Sequence, residues 1–327
     1  MRILLFLLLI SCELFGQQEL FHAQNKGLLL DEYPNAAAAY SLRRVNSRYT
    51  GPLIRVRKDS TGQLTQDIGT TGEALDTMAL KAFAGANNCY VSIWYDQSGN
   101  TGRDATQTTA ANQPRIVNAG VVDKLNGKPA MFYDGINDCL NTSTISDWKF
   151  LNYSSAYTNF TVARAGLVTD PEQLMILWAT TAVFIFGNTG TYLGHDTRGS
   201  QSADRRLWHA VASQGNITVD NRQNNGTTNA NTQFLSVLIA KLLDATLSEK
   251  SALGTNNGSL QKNNAINLSV TDVNPRHALR FGAGDNPSGV NVFFLTGNIQ
   301  ESIFYQTDQS INLPAFRTNI NQYYAIY

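Results

Sequence analysis

Aromatic side chains are the first residues of this 327-residue chain whose chemistry suggests a ligand. Sugar rings present apolar C–H faces, and four aromatic residues could stack on them: Trp94, Tyr95, Trp178 and Trp208. Polar and charged residues from 200 to 206 precede Trp208, so we expect Trp208 to be the most exposed of the four and the others to lie mainly in the core. Asp96, in a Tyr-Asp-Gln-Ser-Gly-Asn turn, is expected to satisfy loop amides rather than contact a sugar.

Histidine and cysteine show no spacing that is typical of a metal site. The four histidines are scattered and there is no CxxC pair, so we expect no zinc site and no cofactor. Two cysteines remain after an N-terminal leader, Cys89 and Cys139. They could form a disulfide in an oxidising compartment, or pack as two buried thiols, and the sequence leaves both interpretations open.

Charge and composition narrow the class of protein. The chain has 25 Lys and Arg against 25 Asp and Glu, so it lacks the net positive charge that displaces counterions from nucleic acid. Charged residues make up only 15% of the chain, against about a quarter in an average protein. Uncharged polar surface of this kind is common in exported β proteins.

The N-terminus predicts export. Met1 and Arg2 precede an apolar run from Ile3 to Ile10, which is too short to span a bilayer as a helix and reads as a signal peptide over residues 1–18. The run ends in Leu-Ile-Ser-Cys, so Cys12 could carry a lipid anchor, the only membrane attachment expected. Cleavage near Gly16 would instead release a free protein. Either outcome predicts a secreted or cell-surface protein with one domain over residues 19–327.

Many short strands and one or two helices are predicted after the leader. The segment Leu53 to Arg57 alternates apolar and basic residues, which indicates a strand with Ile54 and Val56 facing inward. Helices are predicted over Glu73 to Gly85 and over Ser310 to Ile326. This pattern predicts an all-β jelly roll or β-sandwich.

Four segments in order then carry a resemblance to a known family: Tyr40-Ser41-Leu42-Arg43, Tyr49-Thr50-Gly51-Pro52, Val91 to Asn100, and Asn126-Gly127-Lys128-Pro129-Ala130. From about Ala39 onward the chain resembles the catalytic module of family 54 α-L-arabinofuranosidases, a concanavalin A-like β-sandwich. The resemblance implies an all-β concanavalin A-like fold and a retaining mechanism, which uses two carboxylates about 5 Å apart.

The resemblance also implies roles for individual residues. Gly282-Ala283-Gly284-Asp285-Asn286 is similar to the family's acid/base motif, so Asp285 would be the acid, with Gly284 and Asn286 beside it at the sugar. A competing interpretation is that Gly-Asp-Asn is an ordinary turn, in which the Asp side chain caps its own backbone.

The second carboxylate is where the chain departs from the family. The segment Val219 to Gln223 matches the nucleophile motif but places Arg222 at the position of the Glu, and a guanidinium cannot form a glycosyl-enzyme intermediate. Asp220 would share a strand face with Arg222 and could substitute as nucleophile, while Arg222 and Trp208 would contact the sugar. The family's adjacent Cys-Cys pair has no counterpart, and Ala84 stands where a partner of Cys89 would be.

Two functions follow from these residues. The chain is either a secreted hydrolase of arabinofuranosyl-containing glycans, with weak or lost hydrolysis, or a non-catalytic lectin-like adhesion module of a cell surface or virion.

Overall fold

The structure is a computed structural model, and it describes residues 27–166, 174–181, 189–196, 206–213, 216–223, 232–244, 250–262, 270–286 and 290–327. The predicted leader, Cys12 and the predicted strand at 183–186 lie outside these residues. No helix in the described ranges is both long enough and apolar enough to cross a membrane.

Most regular structure is β. The first strands in chain order are β1 Ala38–Ser41, β2 Ile54–Lys58, β3 Thr65–Ile68, β4 Thr70–Thr71, β5 Ala74–Leu75, β6 Cys89–Trp94, β7 Ala105–Thr106, β8 Arg115–Asn118, β9 Val121–Val122, β10 Lys124–Leu125, β11 Lys128–Pro129, β12 Met131–Asp134 and β13 Leu140–Asn141. They are followed by β14 Tyr157–Ala165, β15 Leu174–Ala179, β16 Gly190–Asp196, β17 Arg206–Ser213, β18 Asn216–Gln223, β19 Gln233–Ala240, β20 Ser251–Thr255, β21 Gln261–Lys262, β22 Arg280–Phe281, β23 Gly284–Asp285, β24 Asn291–Val292 and β25 Thr296–Tyr305.

Antiparallel pairing organises these strands into two layers. One layer has the order β20, β19, β14 and β25, and both β1 and β12 pair with β25. The other runs from β18 through β17, β16, β15, β22, β13 and β7 to β6 and β2. Strand β8 pairs with both β6 and β12 and so joins the layers. The concanavalin A-like sandwich predicted from the sequence is confirmed.

The period-2 alternation of β25 explains how the core is divided. Phe304 points between the layers, where its ring lies 5.3 Å from that of Trp178. Its neighbours Ile303 and Tyr305 point to the opposite face, which packs against the C-terminal helix. There Phe316 stacks on Phe160 at 4.3 Å. The sandwich is therefore covered by a helix on one side.

The described residues also contain three helices: α1 Leu29–Glu32, α2 Thr77–Ala84 and α3 Leu313–Tyr324. Short 3-10 turns occur at Ala110–Asn112, Ile145–Leu151 and Ser310–Asn312. Helix α2 begins after Asp76, whose carboxylate accepts hydrogen bonds from the amides of Met78 and Ala79, and it ends at Gly85. A helix is confirmed within the predicted span 73–85, but it begins later than predicted because Ala74 and Leu75 form β5. Its Met78 is 83% exposed and its Leu80 is buried.

The two cysteines described by the structure are free and buried, which supports the interpretation as packed thiols. Burial raises the pKa of Cys89 to about 11 and also raises that of Cys139. Both thiols are therefore protonated at neutral pH and are not poised as nucleophiles.

Candidate functional site

Asp285 lies on a short hairpin at the edge of the layer that contains β15. Its strand β23 pairs with β24, and Asp285 lies opposite Asn291. The side chain of Asn286 accepts a hydrogen bond from the amide of Val290 at 3.0 Å, so Asn286 is the residue that stabilises the turn. The alternative in which the Asp285 carboxylate caps its own backbone is not what the structure shows, because this carboxylate turns toward Arg276 and His277.

The Asp285 carboxylate is a buried anion between two basic side chains. Oδ2 accepts a hydrogen bond from Nε of Arg276 at 3.0 Å, and Oδ1 lies 3.3 Å from Nε2 of His277. The residue is only 3% exposed. Burial on its own would raise the pKa of Asp285, but His277 and Arg276 outweigh burial and lower the pKa below its ordinary value. The carboxylate is therefore held ionised.

Arg280 adds a third basic side chain to this neighbourhood. Its Nε donates to Oδ1 of Asn141 at 2.7 Å, and one terminal nitrogen donates to the carbonyl of Gly284 at 3.3 Å. Burial lowers the pKa of Arg280, and the charge of Asp285 is among the effects that oppose this shift. Arg276, His277 and Arg280 together make an electropositive surrounding for one carboxylate.

Gly282 shows why the motif that leads to Asp285 is rich in glycine. Its φ is +81°, and a Cβ there would approach the ring of Tyr133 to 2.4 Å. The tight passage lets β22 turn past the core and continue beside β15, where the amide of Gly282 bonds to the carbonyl of Leu177. Glycine at this position therefore fixes where the hairpin with Asp285 leaves the sheet.

Asp220 and Arg222, the predicted second half of the site, lie on β18. Their positions are known from the backbone: Asp220 pairs with Ala210 and Arg222 with Trp208. Following the ladder back, Ala210 pairs with Tyr192, Tyr192 with Ala179, and Ala179 with Arg280.

Asp220 and Arg280 are thus four strand steps apart, roughly 19 Å in a flat sheet. A retaining pair needs carboxylates about 5 Å apart, so a pair of Asp220 with Asp285 requires the layer to curl strongly between β15 and β18. The roles of Asp220, Arg222, Gly284, Asn286 and Asp285 stay predictions.

The expected exposure of Trp208 is wrong. Trp208 is 0% exposed, and its indole packs edge-on against Tyr192 at 5.3 Å. The polar residues before it predicted a surface position, but Trp208 packs in a buried cluster with Leu174, Ile176 and Tyr192 of β15 and β16. In this structure the ring offers no face to a sugar.

Asp96 is a structural turn residue, as predicted. Its Oδ1 accepts hydrogen bonds from the amides of Ala39 at 2.7 Å and Ser98 at 2.9 Å, and Oδ2 accepts one from the Ser98 hydroxyl. The carboxylate thereby ties the turn after β6 to strand β1.

Arg276 and His277 are the residues that sequence reasoning missed. His277 was counted as one of four scattered histidines, and Arg276 was not singled out. The available signal was their adjacency only nine and eight positions before Asp285, within reach of one hairpin. Among the described residues no group of three or more His, Cys, Asp or Glu side chains is arranged to hold a metal ion.

Comparison with known proteins finds one family repeatedly, by sequence over the N-terminal part of the chain and by fold over most of it. Residues 31–130 match the family model described as alpha-L-arabinofuranosidase B, catalytic. Alpha-L-arabinofuranosidase B of Emericella nidulans is 40% identical over 169 residues, which cover 48% of this chain and 31% of that protein. Alpha-L-arabinofuranosidase of Hypocrea jecorina is 36% identical over 74 residues, 23% of this chain and 15% of that protein. The matched segments thus span about a third or less of these relatives.

Solved structures extend the likeness in fold over most of the chain. An arabinofuranosidase complexed with arabinofuranosyl-alpha-1,2-xylobiose superposes with a TM-score of 0.55 at 19% identity, over 89% of this chain and 63% of that one. A family 54 arabinofuranosidase soaked with a cyclic sulfate inhibitor gives the same values.

The fold is therefore a β-sandwich like that of these glycoside hydrolases, and residues 31–130 resemble the catalytic part of one family of them. More particularly, the chain carries a module like the catalytic module of family 54 α-L-arabinofuranosidases, as the resemblance in the sequence indicated.

Proposed function

We propose that this chain is an exported module that recognises arabinofuranosyl-containing glycans and whose hydrolytic activity is weak or lost. The family match supports the class of ligand, because relatives over residues 31–130 are arabinofuranosidases. Export rests on the apolar segment Ile3 to Ile10, which the sequence presents as a leader.

The ionised state of Asp285 is the observation that carries the catalytic part of the proposal. A retaining glycosidase begins with an acid that is protonated and gives its proton to the leaving oxygen. Asp285 instead contacts Arg276 and His277, and its pKa is lowered. A carboxylate in this state is a hydrogen-bond acceptor suited to a sugar hydroxyl and a poor proton donor.

Arg222 supports the same conclusion from the other side of the mechanism. In the motif alignment Arg222 takes the position of the nucleophile, the residue that attacks the anomeric carbon, and Arg222 is a permanent cation. A guanidinium can still hydrogen-bond a sugar hydroxyl. Binding with little turnover is the outcome that both positions favour.

The test compares turnover with retention. Wild type, Asp285→Asn and Arg222→Glu are incubated with an aryl α-L-arabinofuranoside, and each is also run over arabinan and arabinoxylan affinity gels. We expect retention of wild type on a gel, little release of the aryl alcohol, and a gain of release in Arg222→Glu, which restores the family's carboxylate.

Two results would overturn the proposal. Rapid release by wild type that disappears in Asp285→Asn would show an efficient hydrolase that uses this residue. Neither release nor retention on either gel would remove the arabinofuranosyl ligand. Retention without release in all three proteins would favour the non-catalytic lectin-like or adhesion module.

A further inference from the structure

A row of alternating cationic and aromatic residues crosses strands β2, β6, β8 and β12. Arg57 on β2 pairs with Tyr90 on β6, Tyr90 pairs with Arg115 on β8, and Arg115 pairs with Phe132 on β12. Each guanidinium lies over the neighbouring ring, 4.9 Å from the centroid of Tyr90 and 4.8 Å from that of Phe132. We call these four residues the Arg-aromatic row.

The Arg-aromatic row faces outward because its neighbours along each strand face inward. Val56, Val91, Ile116 and Tyr133 are next to the four members in sequence, and all are fully buried in the core. Strand alternation therefore places the row on the opposite side of the sheet. Tyr90, Arg115 and Phe132 keep part of their surface accessible.

A cavity of about 400 Å³ lies over this row. Gln63 and Asp59 form one end of it, and Asp134 and Asp138 form the other. This volume falls in the range of small-molecule sites, and the lining joins ring surface with several hydrogen-bonding groups, as such sites do.

Asp138 is a buried carboxyl group with one oxygen uncommitted at this cavity. It is 6% exposed, and Oδ2 accepts a hydrogen bond from the amide of Asp134 at 2.9 Å. No described residue donates a hydrogen bond to Oδ1. Burial, followed by the charge of Asp134, raises the pKa of Asp138 to about 7. Near neutral pH the group can thus accept or donate, which suits a hydroxyl partner that can do either.

The cations of the row are already engaged, which excludes an anionic ligand. Arg115 holds Asp123 with Nε at 2.9 Å, and Arg57 donates to Gln113, to Gln63 and to the carbonyl of Ala110. Against these two cations the cavity also presents three carboxyl groups. An acidic sugar or a phosphate would meet repulsion that an uncharged polyhydroxyl ring avoids.

We propose that the cavity over the Arg-aromatic row is a second ligand site, and that it binds a neutral saccharide ring. The apolar C–H face of the sugar packs on Phe132 and Tyr90, and its hydroxyls bond to Gln63 and to the open oxygen of Asp138. No residue of the Asp285 hairpin lines this cavity, so the proposal does not depend on whether that hairpin is catalytic.

The test is calorimetric titration of the full chain with short neutral arabino- and xylo-oligosaccharides, and with oligogalacturonate as the anionic counterpart. Gln63→Ala and Phe132→Leu each remove one contact, and we expect each to weaken binding about fivefold to tenfold, the equivalent of one hydrogen bond or ring contact. Val121→Thr, at an exposed position outside the cavity lining, is the matched control and should bind like wild type. Circular dichroism establishes that each variant is folded.

Gln63 is exposed, so its replacement keeps the proposal testable even if Phe132→Leu fails to fold. Unchanged affinity in Gln63→Ala and in folded Phe132→Leu would overturn the site. So would the absence of binding by wild type to any neutral probe. Tighter binding of oligogalacturonate than of neutral sugars would overturn the ligand class.

Discussion

Two buried ion pairs in this molecule are built very differently. The guanidinium of Arg43 holds Glu301 through Nε at 2.9 Å and also donates to Glu73 and Asn319. Glu301 accepts further hydrogen bonds from Ser41 and from the hydroxyl of Tyr324, which lies on α3. Every charged atom there has a partner, and the side chains of Arg43 and Glu301 are at most 2% exposed.

The Asp285 pair is less complete. Its partner Arg276 is 26% exposed, and within the described ranges Oδ1 of Asp285 makes only the 3.3 Å contact with His277. A saturated pair such as Arg43 with Glu301 can only stabilise a fold. A carboxylate with one oxygen lightly engaged can still accept a hydrogen bond from a ligand, which is what a binding site needs.

The largest expected effect comes from breaking the saturated pair. Glu301→Gln leaves Arg43 buried with only the partly exposed Glu73 as a charged partner, and we expect a loss of about 3–5 kcal/mol in the free energy of unfolding, measured by urea denaturation. The matched control is Asp67→Asn, which breaks the Arg55–Asp67 pair on the surface. Since both of those side chains are about 40% exposed, the control should cost less than about 1 kcal/mol. Equal losses of unfolding free energy in the two variants would mean that the buried pair of Arg43 with Glu301 stabilises the fold no more than a surface pair does.

The contrast between the two pairs also shows which features can be predicted from the sequence and which cannot. Local patterns are enough for β2, for the C-terminal helix and for the Asp96 turn, because alternation, capping and turn chemistry depend on neighbours in the chain. Arg43 and Glu301 are 258 positions apart, so nothing local connects them. Only the pairing of β1 with β25, which places Ser41 opposite Glu301, brings Arg43 to its buried partner.

The candidate site could be predicted only in part from the sequence, because its chemistry also depends on contacts between distant segments. Motif similarity led to Asp285, yet the state of its carboxyl group depends on which side chains face it after β22 and β23 turn back. The predicted exposure of Trp208 was wrong because side chains of β15 and β16 bury it, whatever the polar residues before it. The protonation state and the exposure of a side chain can therefore be predicted only once the folded structure is known.

Asp96 extends the comparison, since it is a buried carboxylate that makes no ion pair with any described residue. Burial raises the pKa of Asp96 to about 6 although three hydrogen bonds oppose the shift. A raised pKa in the folded state means that its contribution is complete below about pH 4 and is lost as the pH rises to about 6. Relative to Asp96→Asn, wild type should therefore lose roughly 2 kcal/mol of unfolding free energy over this interval. Parallel stability profiles of the two proteins would contradict this, and Asp67→Asn again serves as the surface control.

Asp285 should change the unfolding free energy with pH in the opposite direction to Asp96, and its effect should be the smallest of the three. Its pKa is lowered by His277 and Arg276, so its contribution is present above about pH 4 and is lost as the pH falls through the folded-state pKa. Asp285→Asn should cost about 1 kcal/mol at neutral pH, because the partners are partly exposed, and almost nothing in acid. Urea denaturation at several pH values measures both. A cost that stays constant in acid would show that Asp285 stabilises the hairpin by shape alone, and the difference in charge between the two pairs would then have no consequence for stability.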